Sequence, residues 1–162
     1  MKKALIIEDN SVHFEIIKKL CDTLGIQVYP NNEEEFSLLR SSVCTIFAPG
    51  NQQKYVDAST IDIEETLSTF FADDQDDQII CICDYQLMEN RPEVNGIRFY
   101  YKFLKNKDVI MISGTWSNRD ARTISQFCAE GQNRIFIQKD DDYEQKRFIP
   151  LLWGELEAFT KK

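Results

Sequence analysis

The sequence predicts an α/β fold, a doubly wound, five-stranded parallel sheet with helices on both faces. Two observations lead there. Four apolar runs, Ala4-Leu5-Ile6-Ile7, Ile79 to Cys83, Val109-Ile110-Met111-Ile112 and Ile135-Phe136-Ile137, are strand-sized and almost continuously hydrophobic. That is the pattern of strands covered on both faces, as in a parallel sheet between helix layers. Between the runs lie segments of helical spacing, and alternation of strand with helix implies right-handed crossovers.

After the first strand, Ser11 to Leu24 carries Val12, Ile16, Ile17, Leu20 and Leu24 at helical spacing, with Asn10 or Ser11 as cap and Gly25 as stop. A weaker run, Ile26-Gln27-Val28-Tyr29, ends at Pro30 and suits a strand nearer the sheet edge. Residues 31–78 hold two helical candidates where one is expected, Glu33 to Arg40 and Ile61 to Ala72, separated by a polar stretch with Pro49-Gly50. The acidic tract from Asp73 to Asp77 reads as a solvated connection into the Ile79 strand. Further helices are predicted over Gly96 to Lys105 and Arg119 to Glu130, and along the C-terminal stretch with Phe148, Leu152, Leu156 and Phe159. That last helix starts near Asp142 or at Pro150, where proline suits a first turn.

A chain of 162 residues is long enough for one domain with a real core, and residues 1–162 read as a single domain. Its net charge of −8 sets it against phosphate backbones and anionic lipid, so no direct contact with nucleic acid or membrane is expected. No stretch approaches the roughly 20 apolar residues of a membrane span. The start, Met1-Lys2-Lys3, lacks a signal peptide's apolar core, and a cytoplasmic location is expected. Cys21, Cys44, Cys81, Cys83 and Cys128 form no CxxC pair and are read as reduced thiols. Cys81 and Cys83 alternate with isoleucines and should share one buried strand face.

Ligands of an open parallel sheet bind beyond the carboxyl ends of its strands. The residues there are Glu8 and Asp9, then Asp84, then Ser113 and Gly114, then Gln138 and Lys139. Carboxylates gathered so closely repel one another unless a cation neutralises them, and oxygen ligands favour a hard ion such as Mg²⁺. With the metal and Lys139 nearby, an aspartate can act as nucleophile toward phosphorus. Asp84, on the central strand, is the best candidate.

This arrangement resembles the receiver domain of two-component response regulators, over nearly the whole chain. In that family an acidic pair ends the first strand, here Glu8-Asp9; the phosphoacceptor aspartate ends the third, here Asp84; a Ser or Thr before a small residue ends the fourth, here Ser113-Gly114; and a lysine ends the fifth, here Lys139. The resemblance implies a flavodoxin-like strand order 2-1-3-4-5. It implies Mg²⁺ (or Mn²⁺) held by Asp9, Asp84 and the backbone carbonyl of Gln86, with Glu8 acting through water, and an aromatic switch at Phe136. Family members end the lysine loop with a cis proline; here Asp140 follows Lys139, so the bond is trans or a costly non-proline cis. The connection from Asp9 to Asp84 is longer than the family's usual one, and Met88 to Val94 is an enlarged loop beside the site.

The implied function is a phospho-accepting signalling switch, not a conventional enzyme. A histidine kinase or phosphotransfer protein would phosphorylate Asp84, and Ser113, Lys139 and Phe136 would relay the change to a downstream protein partner. The face of the fourth helix, fifth strand and fifth helix is the expected output surface, and a homodimer through it is an allowed arrangement. With the chain ending at Lys162 in the last helix, a stand-alone regulator or phosphorelay intermediate is expected. An alternative is a degenerate receiver serving as a phosphorylation-independent docking module, motivated by Asp140 and the enlarged loops. A Mg²⁺-dependent phosphatase or nuclease fits less well, because Asp84-Tyr85-Gln86 lacks the DxD pair of such sites. His13 is read as an exposed residue of the first helix, and Trp116 and Trp153 as core or docking residues.

Overall fold

The computed structural model describes residues 1–48, 60–72, 78–114, 118–141 and 144–162. Its elements run β1 (Lys3–Ile7), α1 (Ser11–Thr23), β2 (Gln27–Tyr29), α2 (Glu33–Phe47), α3 (Ile63–Phe71), β3 (Ile79–Asp84), α4 (Gly96–Phe103), β4 (Asp108–Ser113), α5 (Asn118–Ala129), β5 (Arg134–Gln138) and α6 (Phe148–Thr160). All strand pairs are parallel, in the order β2-β1-β3-β4-β5. The predicted α/β class and the 2-1-3-4-5 order are therefore present.

Side-chain alternation sends successive strand residues to opposite layers. Leu5, Ile7, Cys81, Cys83, Val109 and Met111 meet Leu39, Val43, Leu67, Phe99 and Ile124 of α2 to α5. Ala4, Ile6, Ile80, Ile82, Ile110 and Ile112 meet Phe14 and Ile17 of α1 and Leu152 and Leu156 of α6. Because both faces are covered, the strands need no polar side, which accounts for their unbroken hydrophobicity. Cys81 and Cys83 do share a buried face, and burial pushes both thiols up, so they pack as small hydrophobes.

Helices α1 to α4 begin at side-chain caps. Asn10 accepts from the amides of Val12 and His13, Asn32 from Glu35, Asp62 from Glu65 and Asn95 from Arg98. The buried stripe of α1 is Phe14, Ile17 and Cys21, whereas Val12 is 50% exposed. The buried face thus begins two residues after the predicted Val12, at Phe14, which stacks on Phe36 of α2 at 4.7 Å. Two helices do occupy the segment between β2 and β3, and α2 runs on to Phe47, beyond the predicted end at Arg40. The Pro49-Gly50 and Asp73 to Asp77 stretches, like Trp116, lie outside the described residues. Helix α6 starts at Phe148, between the two predicted starts, with Pro150 in its first turn. Trp153 is half-buried on α6 and its indole N–H donates to Glu157 at 3.0 Å. Among the described residues no helix is long and apolar enough to cross a membrane.

Candidate functional site

Register assembles the site. Ile7 of β1 pairs with Cys83 of β3, so the residues that follow, Glu8 and Asp84, emerge side by side. Across the sheet the main chains are tied beyond the last ladder rung: Tyr85 N donates to Ile112 O at 2.8 Å, and Lys139 N to Ser113 O at 2.7 Å. The carboxyl ends of β1, β3, β4 and β5 are thereby held in one row.

Glu8, Asp9 and Asp84 come together, each offering an oxygen within 4.8 Å of the others. Lys139 reaches in from β5 and its ammonium lies 3.2 Å from Glu8 Oε2 and 3.2 Å from Asp84 Oδ2. Glu8 Oε1 accepts from the amides of Asp9 and Asn10, both at 3.1 Å, which fixes the turn out of β1. Arg40 of α2 braces the same turn, donating to the Asp9 carbonyl at 3.3 Å. Gln86 N faces Asp84 Oδ1 at 3.4 Å, and Gln86 lines the cleft above the acids.

One ammonium does not balance three carboxylates away from water. Burial, then the charge of Asp84, pushes Glu8 up to about 8, even against Lys139. Burial and the charge of Glu8 push Asp9 up to about 6. Asp84 also rises to about 6, chiefly by burial, with Lys139 pulling the other way. For Lys139 burial opposes the charge, but Glu8 and Asp84 outweigh it and raise the ammonium's pKa. An oxygen-only, electron-rich and under-neutralised pocket is the chemistry that a hard divalent cation fits.

The other sequence candidates stand as follows. Ser113 is buried at 2% exposure and joins the site through its carbonyl, while Gly114, the residue after β4, lines the cleft. Gln138 is exposed. Phe136 is half-buried beside the core face of β4, opposite Met111. The predicted exposed role of His13 is corrected: it is half-buried, lines the cleft and sets Nδ1 3.2 Å from Lys139 Nζ. The Met88 to Val94 loop is anchored, with Leu87, Met88 and Val94 buried, Leu87 N donating to Val94 O at 3.1 Å, and Gln86 bridged to Asn95.

Downstream of Lys139 the peptide bond is trans, the one cis bond among the described residues being Tyr29-Pro30. Asp140 organises this loop. Its Oδ2 accepts from the amides of Arg147 at 2.7 Å and Phe148 at 3.0 Å, capping α6 from seven residues away. These amides, Phe148 first, hold its carboxyl below the usual carboxylate range. Gln145, 1% exposed, completes the loop by accepting from Asp140 N at 2.8 Å and donating to Asp140 O at 2.7 Å. Removing a side chain that satisfies part-buried main-chain groups takes two hydrogen bonds from the loop. Gln145→Ala should therefore cost about 1 to 3 kcal/mol in urea unfolding, and an unchanged midpoint would show the loop to be held by other contacts.

Comparison with known proteins yields matches in structure alone: no family model and no curated protein matches the chain. A response regulator receiver domain from Rhodospirillum rubrum is 18% identical, with a TM-score of 0.51 over 99% of this chain and 94% of that one. A signal receiver domain from Vibrio parahaemolyticus is 13% identical, with a TM-score of 0.45 over 100% of this chain and 98% of that one. A response regulator from Colwellia psychrerythraea is 11% identical, with a TM-score of 0.47 over 99% of this chain and 98% of that one. At such identities the likeness is one of fold, and the first match shares the receiver-domain architecture along essentially its full length.

Proposed function

We propose that the chain is a phospho-accepting signalling switch in which Asp84 is the nucleophile. The observation that carries this reading is the shared pocket: the Lys139 ammonium bridges Glu8 and Asp84 at 3.2 Å each, and Asp84 and Lys139 line an open cleft together with Asp9 and Gln86. Asp9, Asp84 and the main-chain carbonyl of Gln86 would hold a divalent cation, Mg²⁺ or Mn²⁺, with Glu8 behind them. Such a cation supplies charge neutralisation for the carboxylates and for the oxygens of the entering phosphoryl group.

The protein's own part follows from its geometry. A carboxylate oxygen of Asp84 attacks phosphorus; the bond from phosphorus to the donor's leaving atom breaks, and the electron pair departs with the donor. With acetyl phosphate the leaving group is acetate, and with a phosphohistidine partner it is imidazole. The Lys139 ammonium, already at Asp84, meets the charge gathering on the phosphoryl oxygens. The acyl phosphate brings about −1.5 to −2 charges and three strong acceptors into the cleft. Lys139 must then redistribute its hydrogen bonds, and Lys139 N is bonded to Ser113 O, so that shift is shared by β4 and β5. Phe136 stands on β5 two residues from its end, where it would pass the change to the surface of α5, β5 and α6. A kinase or phosphotransfer protein would be the donor, and a protein docking on that surface would read the state.

Intact-mass spectrometry after incubation with acetyl phosphate and Mg²⁺ tests this. The wild type should gain one phosphoryl group that hydroxylamine removes, as an acyl phosphate requires. Asp84→Asn should gain none. Equal incorporation by Asp84→Asn, or a hydroxylamine-resistant adduct, would defeat the assignment.

A further inference from the structure

The ammonium of Lys139 carries three N–H bonds, and three acceptors stand around it. Two are the carboxylates of Glu8 and Asp84, and the third is His13 Nδ1, each at 3.2 Å. An ammonium can only donate, so the imidazole must present Nδ1 as a lone pair and carry its hydrogen on Nε2. The ring comes from the first turn of α1, where the Asn10 side chain accepts from the His13 amide at 3.1 Å and pins the backbone beneath it. Burial, then the charge of Lys139, lowers the imidazole to about 4, so it is neutral at physiological pH.

Resting on the switch reading above, we infer that His13 is a positioning residue: it holds the Lys139 ammonium over Asp84 so that the phosphoryl group enters against an already oriented charge. The residue type suits the place. A third carboxylate around the ammonium would add negative charge to a pocket that already raises the pKa of Glu8, Asp9 and Asp84. An aliphatic side chain would leave the third N–H to water and free the four-carbon lysine stem to wander. A neutral imidazole accepts the bond and adds no charge. His13 also lines the cleft together with Asp84, Gln86 and Lys139, so its ring lies where a phosphodonor must pass.

The test has two arms. His13 is the single histidine of the chain, so ¹⁵N-histidine labelling gives one imidazole in the NMR spectrum. In the wild type it should be the Nε2–H tautomer, with an Nδ1 resonance that moves when Lys139 is replaced in Lys139→Met. Second, the rate of acyl-phosphate formation from acetyl phosphate at saturating Mg²⁺ should fall roughly tenfold in His13→Ala, the scale of one lost charge-assisted hydrogen bond. The Mg²⁺ concentration for half-maximal rate should not move, because His13 orients the lysine and not the cation. His13→Asn, whose side-chain oxygen sits where Nδ1 was, should recover most of the rate. An Nδ1 resonance indifferent to Lys139→Met, or His13→Ala reacting at the wild-type rate, overturns the inference. So does an asparagine variant no better than alanine. Wild type that takes up no phosphate overturns the switch reading, and with it this role, while a positive NMR arm would keep the contact as structure only.

Discussion

In a chelating buffer the protein should melt at progressively lower temperature as the pH rises from 6.5 to 8, and Glu8→Gln should abolish the decline. Glu8 binds its proton up to about 8 in the folded protein and only to about 4.5 when unfolded. Between those limits the native state holds more protons than the unfolded one, so stability falls as pH rises. The stability it confers is whole below its unfolded pKa and is lost through its folded one. Asp9 and Asp84, raised to about 6, act with the same sign at lower pH. His13, lowered to about 4, acts with the opposite sign below its ordinary 6.5, because there the unfolded state takes the extra proton. These contributions overlap from pH 4 to 6.5, which is why the window above it isolates Glu8. One proton over 1.5 pH units amounts to at most about 2 kcal/mol, or about 4 to 8 °C in a chain of this size. Mg²⁺ should reverse the slope, since it binds ionised carboxylates and its stabilisation grows as protons leave. A melting temperature flat across this range in both proteins would mean that Glu8 is ionised in the folded state without a cation.

The strands and the acidic row were legible in the sequence because both are consequences of local pattern. Ile79 to Cys83 has the length and unbroken hydrophobicity of a strand covered twice, and a residue that follows such a strand stands at the sheet's ligand-binding edge. What escaped depends on contacts between distant residues. Helix α2 was predicted only to Arg40, yet it continues through Ser41 and Ser42, both buried. Ser42 Oγ donates to Leu38 O at 2.7 Å and accepts from Ile61 N at 2.8 Å, so its hydroxyl ties α2 to the entry of α3. His13 sits beside exposed Val12, and nothing local tells which of the two turns toward Lys139. The substitute for the missing proline after Lys139 was hidden for a similar reason. Asp140 finds its partners at Gln145, Arg147 and Phe148 across a loop whose Gln145 has φ 51°, a left-handed conformation that glutamine rarely signals. Phe136 was placed by its offset from Lys139, and it packs half-buried against the core face.

Gly96→Ala should destabilise the protein by about 1 to 3 kcal/mol through overpacking, while Gly154→Ala should stabilise it by about 0.5 to 1 kcal/mol. Both glycines lie in helices, so helix propensity alone predicts a gain at each. The surroundings decide the difference. A Cβ on Gly96 would stand 2.3 Å from the carbonyl oxygen of Asp84 and 3.1 Å from its carbonyl carbon. Those are main-chain atoms of a central strand, and they cannot swing aside as a side-chain tip can. Helix α4 starts there because Gly96 N donates to Tyr85 O at 2.9 Å, which seats the helix directly on the turn that carries Asp84. At Gly154 nothing lies within 4 Å of the added carbon, and alanine there only removes backbone freedom from the unfolded chain. The damage at Gly96 should extend to chemistry. Relief of the clash must shift Asp84 and the start of α4 apart, so weaker Mg²⁺ binding and slower phosphate uptake should accompany the lower urea midpoint. Gly96→Ala with an unchanged midpoint, beside a stabilised Gly154→Ala, would show that α4 does not rest on the strand end, and that Asp84 is positioned by β1 and β4 alone.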